Sequence, residues 1–155
     1  MHTTGIKFLL ILAAIIVTGL CVNSVYQSLH FSTERKMRER VVNQRMECIK
    51  NAQSFFYEKK GVYAANFDEL VSFINDNQVN IHCASDSLTF IPFSPMTKFV
   101  MQTGESTSAS NETEISLEIK APFSAYLSGL NANEISRIEK EALQTGKYPG
   151  LRIRN

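Results

Sequence analysis

The sequence predicts an α+β membrane protein. An N-terminal transmembrane helix continues into a long amphipathic helix, which packs on a small antiparallel sheet with two short helices. Three observations support this. An apolar run lies near the N-terminus, neither Pro nor Gly interrupts the polar stretch from Ser32 until Gly61, and residues 113–121 alternate apolar and polar side chains. Runs of about 20 apolar residues span bilayers, and strict alternation is typical of half-buried strands.

The chain has 155 residues and a formal net charge of +1. This length leaves room for one domain. The near-neutral charge excludes nucleic-acid binding by bulk electrostatics. We divide the chain into four parts: an N-terminal flank (1–7), the transmembrane helix (8–29), an amphipathic stalk helix (30–60) and an α+β globular head (61–155).

The N-terminal run is uncharged from Phe8 to Thr33. It supplies the about 20 residues that a membrane-spanning helix needs. Three interpretations stay open: a retained anchor, a cleaved signal peptide and a lipoprotein signal. No Ala-x-Ala cleavage site follows the run, and Leu20 precedes Cys21 where a lipoprotein signal would have a small residue. These features favour the retained anchor.

Charges flank the run on both sides and leave its orientation open. Lys7 and the N-terminal amine precede it. Four basic residues follow it: Arg35, Lys36, Arg38 and Arg40. The positive-inside rule would place the head in the cytoplasm. Glutamates at 34 and 39 interrupt this basic set, however, so it also suits a mixed-charge helix outside the membrane.

The stretch after the run predicts a second helix. Ser32 or Thr33 is its candidate N-cap, and Gly61 suits its C-terminal stop. At 100° per residue, apolar side chains fill one broad arc: Met37, Val41, Val42, Met46, Cys48, Ile49, Ala52, Phe55 and Phe56. We expect this arc to pack on the head.

Three charged residues on this helix are the candidate interaction residues. Arg38 and Arg45 lie along the apolar arc, and Glu34 precedes Arg38 by one turn. A buried guanidinium group needs a partner. Either these arginines are hydrated where the helix stands clear of the head, or they meet carboxylates on a neighbouring subunit. We favour hydration.

The chain has three cysteines. Cys21 lies in the apolar run. Cys48 and Cys83 could form a disulfide if the head faces an oxidising compartment. Two cysteines in a sequence do not reveal whether they pair.

The head sequence predicts two helices and four strands. Asn66 and Glu69 form a capping-box pattern before the first helix, and Asn131 or Asn133 caps the second, which covers about 134–145. The strand-like segments are residues 88–93, 98–103, 113–121 and the C-terminal stretch from Tyr148 to Ile153. Residues 104–112 form a polar loop in this scheme.

The sequence contains no catalytic or metal-binding motif. Gly-x-Ser-x-Gly, His-Glu-x-x-His, the phosphate loop and the EF-hand pattern are all missing. We therefore expect a protein that is not an enzyme and that uses no metal, cofactor or small-molecule substrate.

The first half of the chain resembles type IV pilins and pseudopilins. The resemblance lies in the stretch "RMECIKNAQSFFYEKKGVYAANFDELVSF". In this family a helix often ends in an aromatic-rich turn, which is followed by Gly-x-Tyr and a short Asp-Glu-Leu helix. The matching residues here are Arg45, Ala52, Tyr57, Gly61, Tyr63 and residues 68–70. It implies a long N-terminal helix packed on a sheet. The prepilin-peptidase signature is missing, since Ile6-Lys7-Phe8 follows Gly5. The resemblance therefore implies a permanent anchor on a pilin-like body.

The chain is also similar to single-span membrane proteins of Bacteroidota whose function is not established. The similar features are the anchor, the "FDELVSF" helix and the "KYPGLRI" tail. This second resemblance implies an inner-membrane protein with a periplasmic head.

Together these features predict a non-enzymatic, membrane-anchored subunit of an envelope assembly, pilus-like or secretion-like. Its expected partners are the lipid bilayer and other envelope proteins, with self-association included. The alternatives are a monomeric membrane-tethered binding module and a cytoplasm-facing adaptor.

Overall fold

The structure is a computed structural model that describes residues 2–79, 83, 88–94, 96–107 and 113–154. The chain divides into two compact units, Met1–Lys36 and Met37–Asn155. We call them the N-terminal unit and the head. The structure confirms an α+β protein with a long N-terminal helix, a small three-stranded antiparallel sheet and short helices.

The elements follow one another in the order helix, helix, two strands, two helices and strand. They are α1 (His2–Lys60), α2 (Phe67–Asp76), β1 (Val100–Thr107), β2 (Thr113–Pro122), α3 (Phe123–Tyr126), α4 (Ala132–Gln144) and β3 (Gly150–Arg154). The four-residue helix α3 was not predicted from the sequence.

Helix α1 has no internal start, so the predicted cap at Ser32 or Thr33 is wrong. The chain is already helical there, and the Thr33 hydroxyl donates to the Leu29 carbonyl at 3.0 Å, one turn back. The predicted stop is confirmed. Gly61 has a φ of +74° and its amide donates to the Tyr57 carbonyl at 2.8 Å.

Asparagine side chains cap both predicted head helices. The Asn66 side chain accepts from the Glu69 amide at 2.8 Å, and the Glu69 carboxylate accepts from the Ala65 amide at 3.0 Å. Of the two candidates for α4, Asn131 is the cap, because its side chain accepts from the Asn133 and Glu134 amides. Local side-chain chemistry thus sets where both helices begin.

The sheet has the order β1-β2-β3, with both pairs antiparallel. Strand β2 matches the predicted strand over 113–121, and β3 matches the predicted C-terminal strand. The predicted strand over 98–103 corresponds to β1, which extends to Thr107. Residues 104–107, predicted as loop, are therefore strand, while 108–112 of that loop lie outside the described residues.

The predicted strand over 88–93 is wrong. Residue Phe90 makes only an isolated bridge to Lys98. Pro92 has no amide hydrogen for a strand ladder, and Phe93 has a φ of +68°, in the left-handed region. These two positions make the segment a loop.

One face of the sheet and one side of α1 contribute to the core. Leu117, Ile119 and Ala121 of β2 are buried. The predicted apolar arc of α1 is largely buried too: Val42, Met46, Cys48, Ile49, Ala52 and Phe56. Met37 and Phe55 are exceptions, since each is more than 40% exposed. The Phe56 ring packs edge-on against Phe73 of α2, with centroids 4.8 Å apart.

Candidate interaction surfaces

The N-terminal unit presents a continuous apolar surface. Helix α1 contains one segment long and apolar enough to cross a membrane. Its large apolar side chains are 55% to 67% exposed: Leu10, Ile11, Leu12, Ile15, Ile16, Val17, Leu20, Val22, Val25, Tyr26 and Leu29. Such a surface indicates a lipid or protein environment rather than water.

The Arg38 side chain is hydrogen-bonded to backbone groups of the head. Its Nη1 donates to the carbonyls of Tyr126 at 3.1 Å and Ser128 at 2.9 Å, at the end of α3. Its guanidinium carbon lies 4.8 Å from the centre of the Phe93 ring. The expected hydration of Arg38 is therefore wrong, because carbonyl groups left open at the end of a short helix accept its N–H groups.

The other two candidate residues are partly buried. Glu34 belongs to the N-terminal unit, and Arg45 belongs to the head. Both take part in side-chain interactions, so neither is a free charge. Arg38 thus contributes to the packing of the head. A role of Glu34, Arg38 and Arg45 in binding a partner stays a prediction.

The outer face of the sheet carries a charge cluster that was not predicted. The Glu118 carboxylate forms ion pairs with three cations: Lys120 at 2.5 Å, Arg154 at 3.0 Å and Arg152 at 3.5 Å. The Lys120 ammonium also donates to the Gln102 side chain at 2.6 Å. Three cations around one carboxylate leave two positive charges in excess. We call Glu118, Lys120, Arg152 and Arg154 the basic sheet face.

The strand register assembles this face. Glu118 pairs directly with Arg154, and Lys120 pairs with Arg152. Alternation within each strand showed that these side chains point outward. The order of the strands in the sheet depends on the tertiary fold. The charge cluster could therefore not be predicted from the sequence of either strand alone.

The cations lower the pKa of Glu118. The hydrogen bond from Lys120 is the largest cause, and the hydrogen bond from Arg154 adds to it, while partial burial of the carboxyl opposes both. The neighbouring Tyr148 phenol has a raised pKa, mainly because it is partly buried and also because Glu118 is negative. The face therefore holds an ionised carboxylate and a neutral phenol at neutral pH.

Cys48 on α1 and Cys83 form a disulfide in the structure. The bond joins α1 to the segment that follows α2. Cys21 lies exposed on the apolar surface of the N-terminal unit and is a free cysteine.

The described residues of the head line two open grooves. One, of about 430 Å³, is lined by Val62, Tyr63, Thr103, Gly104 and Ile115. The other, of about 400 Å³, is lined by Phe56, Lys59, Lys60, Glu69, Ser72, Phe73, Asp76 and Asn77. Within the described residues, no three His, Cys, Asp or Glu side chains group in a way that could hold a metal ion.

Comparisons of the chain with protein-family models, with curated proteins and with solved structures found no match. The chain's own residues and geometry are therefore the basis for assigning a function.

Proposed function

We propose that the protein is a non-enzymatic, single-pass membrane subunit of an envelope assembly, pilus-like or secretion-like, whose head makes protein–protein contacts. The observation that carries this proposal is the exposed apolar segment of α1, which is long enough to span a bilayer. A helix satisfies its own backbone hydrogen bonds, so it can cross the hydrocarbon layer without partners.

The disulfide supports an external head. Disulfides persist in oxidising compartments such as the bacterial periplasm and are rare in the cytosol. The Cys48–Cys83 bond therefore favours a periplasmic head over the cytoplasm-facing adaptor. On this basis we assign the apolar segment to the inner membrane, with the head on its periplasmic side.

The basic sheet face supplies a surface suited to a partner. Arg152 and Arg154 are 44% and 64% exposed at their side chains, and both lie on β3, which is a sheet edge. An excess of positive charge steers the approach of an acidic partner. The partner set includes other envelope proteins and further copies of the chain.

A native gel of the full-length protein, extracted from membranes in mild detergent, tests the assembly. We expect a complex larger than the monomer, and we expect Arg152→Glu combined with Arg154→Glu to weaken it. Lys140→Glu, on the exposed side of α4, is the matched control and should leave the complex intact. If all three proteins migrate as monomers, the monomeric binding module replaces the assembly subunit.

Trapping of thiols in intact cells tests the compartment. Cells are treated with an alkylating agent and the full-length protein is run on a non-reducing gel. We expect the Cys48–Cys83 bond to be present before lysis. A fully reduced head would contradict the periplasmic placement and favour the adaptor.

A further inference from the structure

Strand β3 presents an open edge of the sheet. Its residues 150–154 pair with β2 on one side, and no strand follows it in the sheet order. Apart from that ladder, no backbone group among the described residues bonds to residues 151–154. The strand contains no Pro. An edge strand directs alternate N–H and C=O groups away from its neighbour, so β3 offers donors and acceptors to a further strand.

The outer face of this edge carries two arginines. Arg154 lies opposite Glu118 and Arg152 lies opposite Lys120, so both rows of side chains continue towards the open side of β3. The single carboxylate of Glu118 serves three cations there. Directly opposite residues of neighbouring strands have Cβ atoms about 5 Å apart. Carboxylates on an added strand would therefore lie beside the two guanidinium groups and offset the excess positive charge.

The inner face of the same edge is apolar and incompletely covered. Ile119 and Ala121 of β2 are fully buried. The residues of β3 opposite them, Ile153 and Leu151, are only partly buried. The apolar layer thus thins out at the edge of the sheet. Apolar side chains on an added strand would extend this layer and remove more of it from water.

The charges on the edges disfavour a second copy of the chain as the added strand. Two β3 strands side by side would bring arginines against arginines, and like charges directly opposite are destabilising. The other edge strand, β1, carries Val100, Gln102 and Gly104 on the outer face, none of which is acidic. The arginines therefore repel copies of the edge while they attract an acidic strand, which gives specificity to the edge.

We propose that the open edge of β3 binds an extended segment of another protein. This segment adds to the three-stranded sheet as a fourth strand, with carboxylates against Arg152 and Arg154 and apolar side chains against Leu151 and Ile153. The inference rests on the proposed function, because it names the kind of partner that the head contacts. Main-chain hydrogen bonds supply the affinity, and the alternation of side chains selects the partner.

A labelled synthetic peptide tests this edge in the full-length protein in mild detergent. The probe is a fluorescein-labelled heptapeptide, Thr-Glu-Val-Glu-Val-Glu-Thr, and fluorescence anisotropy measures its binding. A second peptide has lysine in place of each glutamate. Two further peptides keep the acidic sequence but carry backbone N-methyl groups, one on its glutamates and the other on its valines. Each methylated set blocks one edge of the extended peptide, because successive N–H groups point to opposite edges.

We expect the acidic peptide to bind and the lysine peptide to bind at least about tenfold more weakly, since its side chains repel both arginines. One methylated peptide should lose binding while the other binds like the unmodified peptide, because only one edge faces β3. If the two methylated peptides bind equally, charge alone attracts them and strand addition is overturned. Absence of binding by the acidic peptide also overturns it, and the arginines then only protect the edge.

Variants of the protein locate the peptide on β3. Arg152→Gln combined with Arg154→Gln should weaken binding of the acidic peptide about tenfold. Lys59→Gln combined with Lys140→Gln removes two exposed cations outside the sheet and is the matched control. Equal binding by both double variants contradicts a site on β3.

The native gel described above separates this inference from the proposed function. If the edge fails these tests while the full-length protein still migrates as a complex, the assembly subunit stands without strand addition. If the protein migrates as a monomer but one methylated peptide alone loses binding, the assembly is overturned. The β3 edge is then the site of the monomeric binding module.

Discussion

Gln53 shows how one polar residue joins separate parts of the head. Its side chain is fully buried. The amide nitrogen donates to the Ala64 carbonyl at 3.0 Å, and the amide oxygen accepts from the Ala64 amide at 2.9 Å. The two bonds tie α1 to the connection before α2. Both polar ends of the glutamine are thus satisfied, which is what allows it to be buried.

Replacing Gln53 by Met should destabilise the head strongly. The substitution keeps the length of the side chain but leaves the Ala64 amide and carbonyl without their partner. We expect the free energy of unfolding to fall by about 2–6 kcal/mol, since two buried groups are left unpaired and each costs about 1–3 kcal/mol. Urea unfolding in detergent, followed by circular dichroism, measures it.

The control for this prediction is Asn51→Met. Asn51 lies two residues away on the same helix and is exposed. We expect its unfolding midpoint to stay close to that of the parent protein. Equal losses in the two variants would show that the Gln53 hydrogen bonds contribute no specific stability.

Arg38 shows what a residue pattern leaves undecided. Helical spacing placed it on the apolar arc, where a charge needs a partner. The partner carbonyls belong to residues 88 and 90 positions further along the chain.

For Gln53, the sequence did contain a signal of burial. Gln53 falls on the buried stripe between Ile49 and Phe56, where a polar side chain requires buried hydrogen bonds.

At the scale of elements, β2 is the part of the head that was most predictable. Its alternation places Leu117 and Ile119 in the core and Glu118 and Lys120 on the outer face. The strand pattern decides the faces because successive side chains point to opposite sides. The pairing with β3 determines which charged groups meet on the outer face, since it brings Arg154 opposite Glu118.

The sheet should lose stability in acid through Glu118. Its pKa is lower in the folded protein than in the unfolded chain, chiefly because of Lys120. The stabilisation is therefore fully present above the unfolded pKa of about 4.3 and is lost as the pH falls through the folded pKa. We expect Glu118→Gln to flatten the fall in the urea midpoint between neutral and acid pH.

Glu58→Gln is the matched comparison for this pH profile. Glu58 is an exposed glutamate near the end of α1. The parent protein and Glu58→Gln should lose stability in parallel as the pH falls. If Glu118→Gln follows the same curve, the basic sheet face does not contribute to the acid sensitivity.

Two element boundaries depended on more than local pattern. Ser32 and Thr33 have the chemistry of helix caps, but the chain before them is helical, so no open amides are left for them to cap. Residues 88–93 have strand-like composition, but the Thr89 carbonyl and the Ile91 amide are hydrogen-bonded to Phe99 and Thr97 a few residues further along the chain. Both differences arise because an element's ends depend on what adjoins it.

At the scale of the whole molecule, the disulfide is the covalent constraint of the head. Cys48 and Cys83 are 35 residues apart. Cross-linking them restricts the unfolded chain, and a loop of this length contributes about 3–4 kcal/mol by loop-closure entropy. We expect Cys48→Ser with Cys83→Ser to lower the free energy of unfolding by that amount in full-length protein in detergent.

Cys21→Ser provides the control, because Cys21 is a free cysteine in the N-terminal unit. Its unfolding curve should match that of the parent protein. Adding a thiol reductant should destabilise the parent and Cys21→Ser equally and leave the double variant unchanged. A double variant as stable as the parent would contradict a stabilising role for the bond.

The sequence by itself determined the apolar segment, the continuation of α1 to Gly61, the Asn66 cap of α2 and the alternation of β2. Each of these depends on neighbours within a few positions, through hydrophobic periodicity or capping hydrogen bonds. Only the tertiary structure decided the partners of Arg38 and Gln53, the Cys48–Cys83 pairing and the basic sheet face. Those contacts join residues distant in the chain, and local periodicity carries no information about which distant groups will meet.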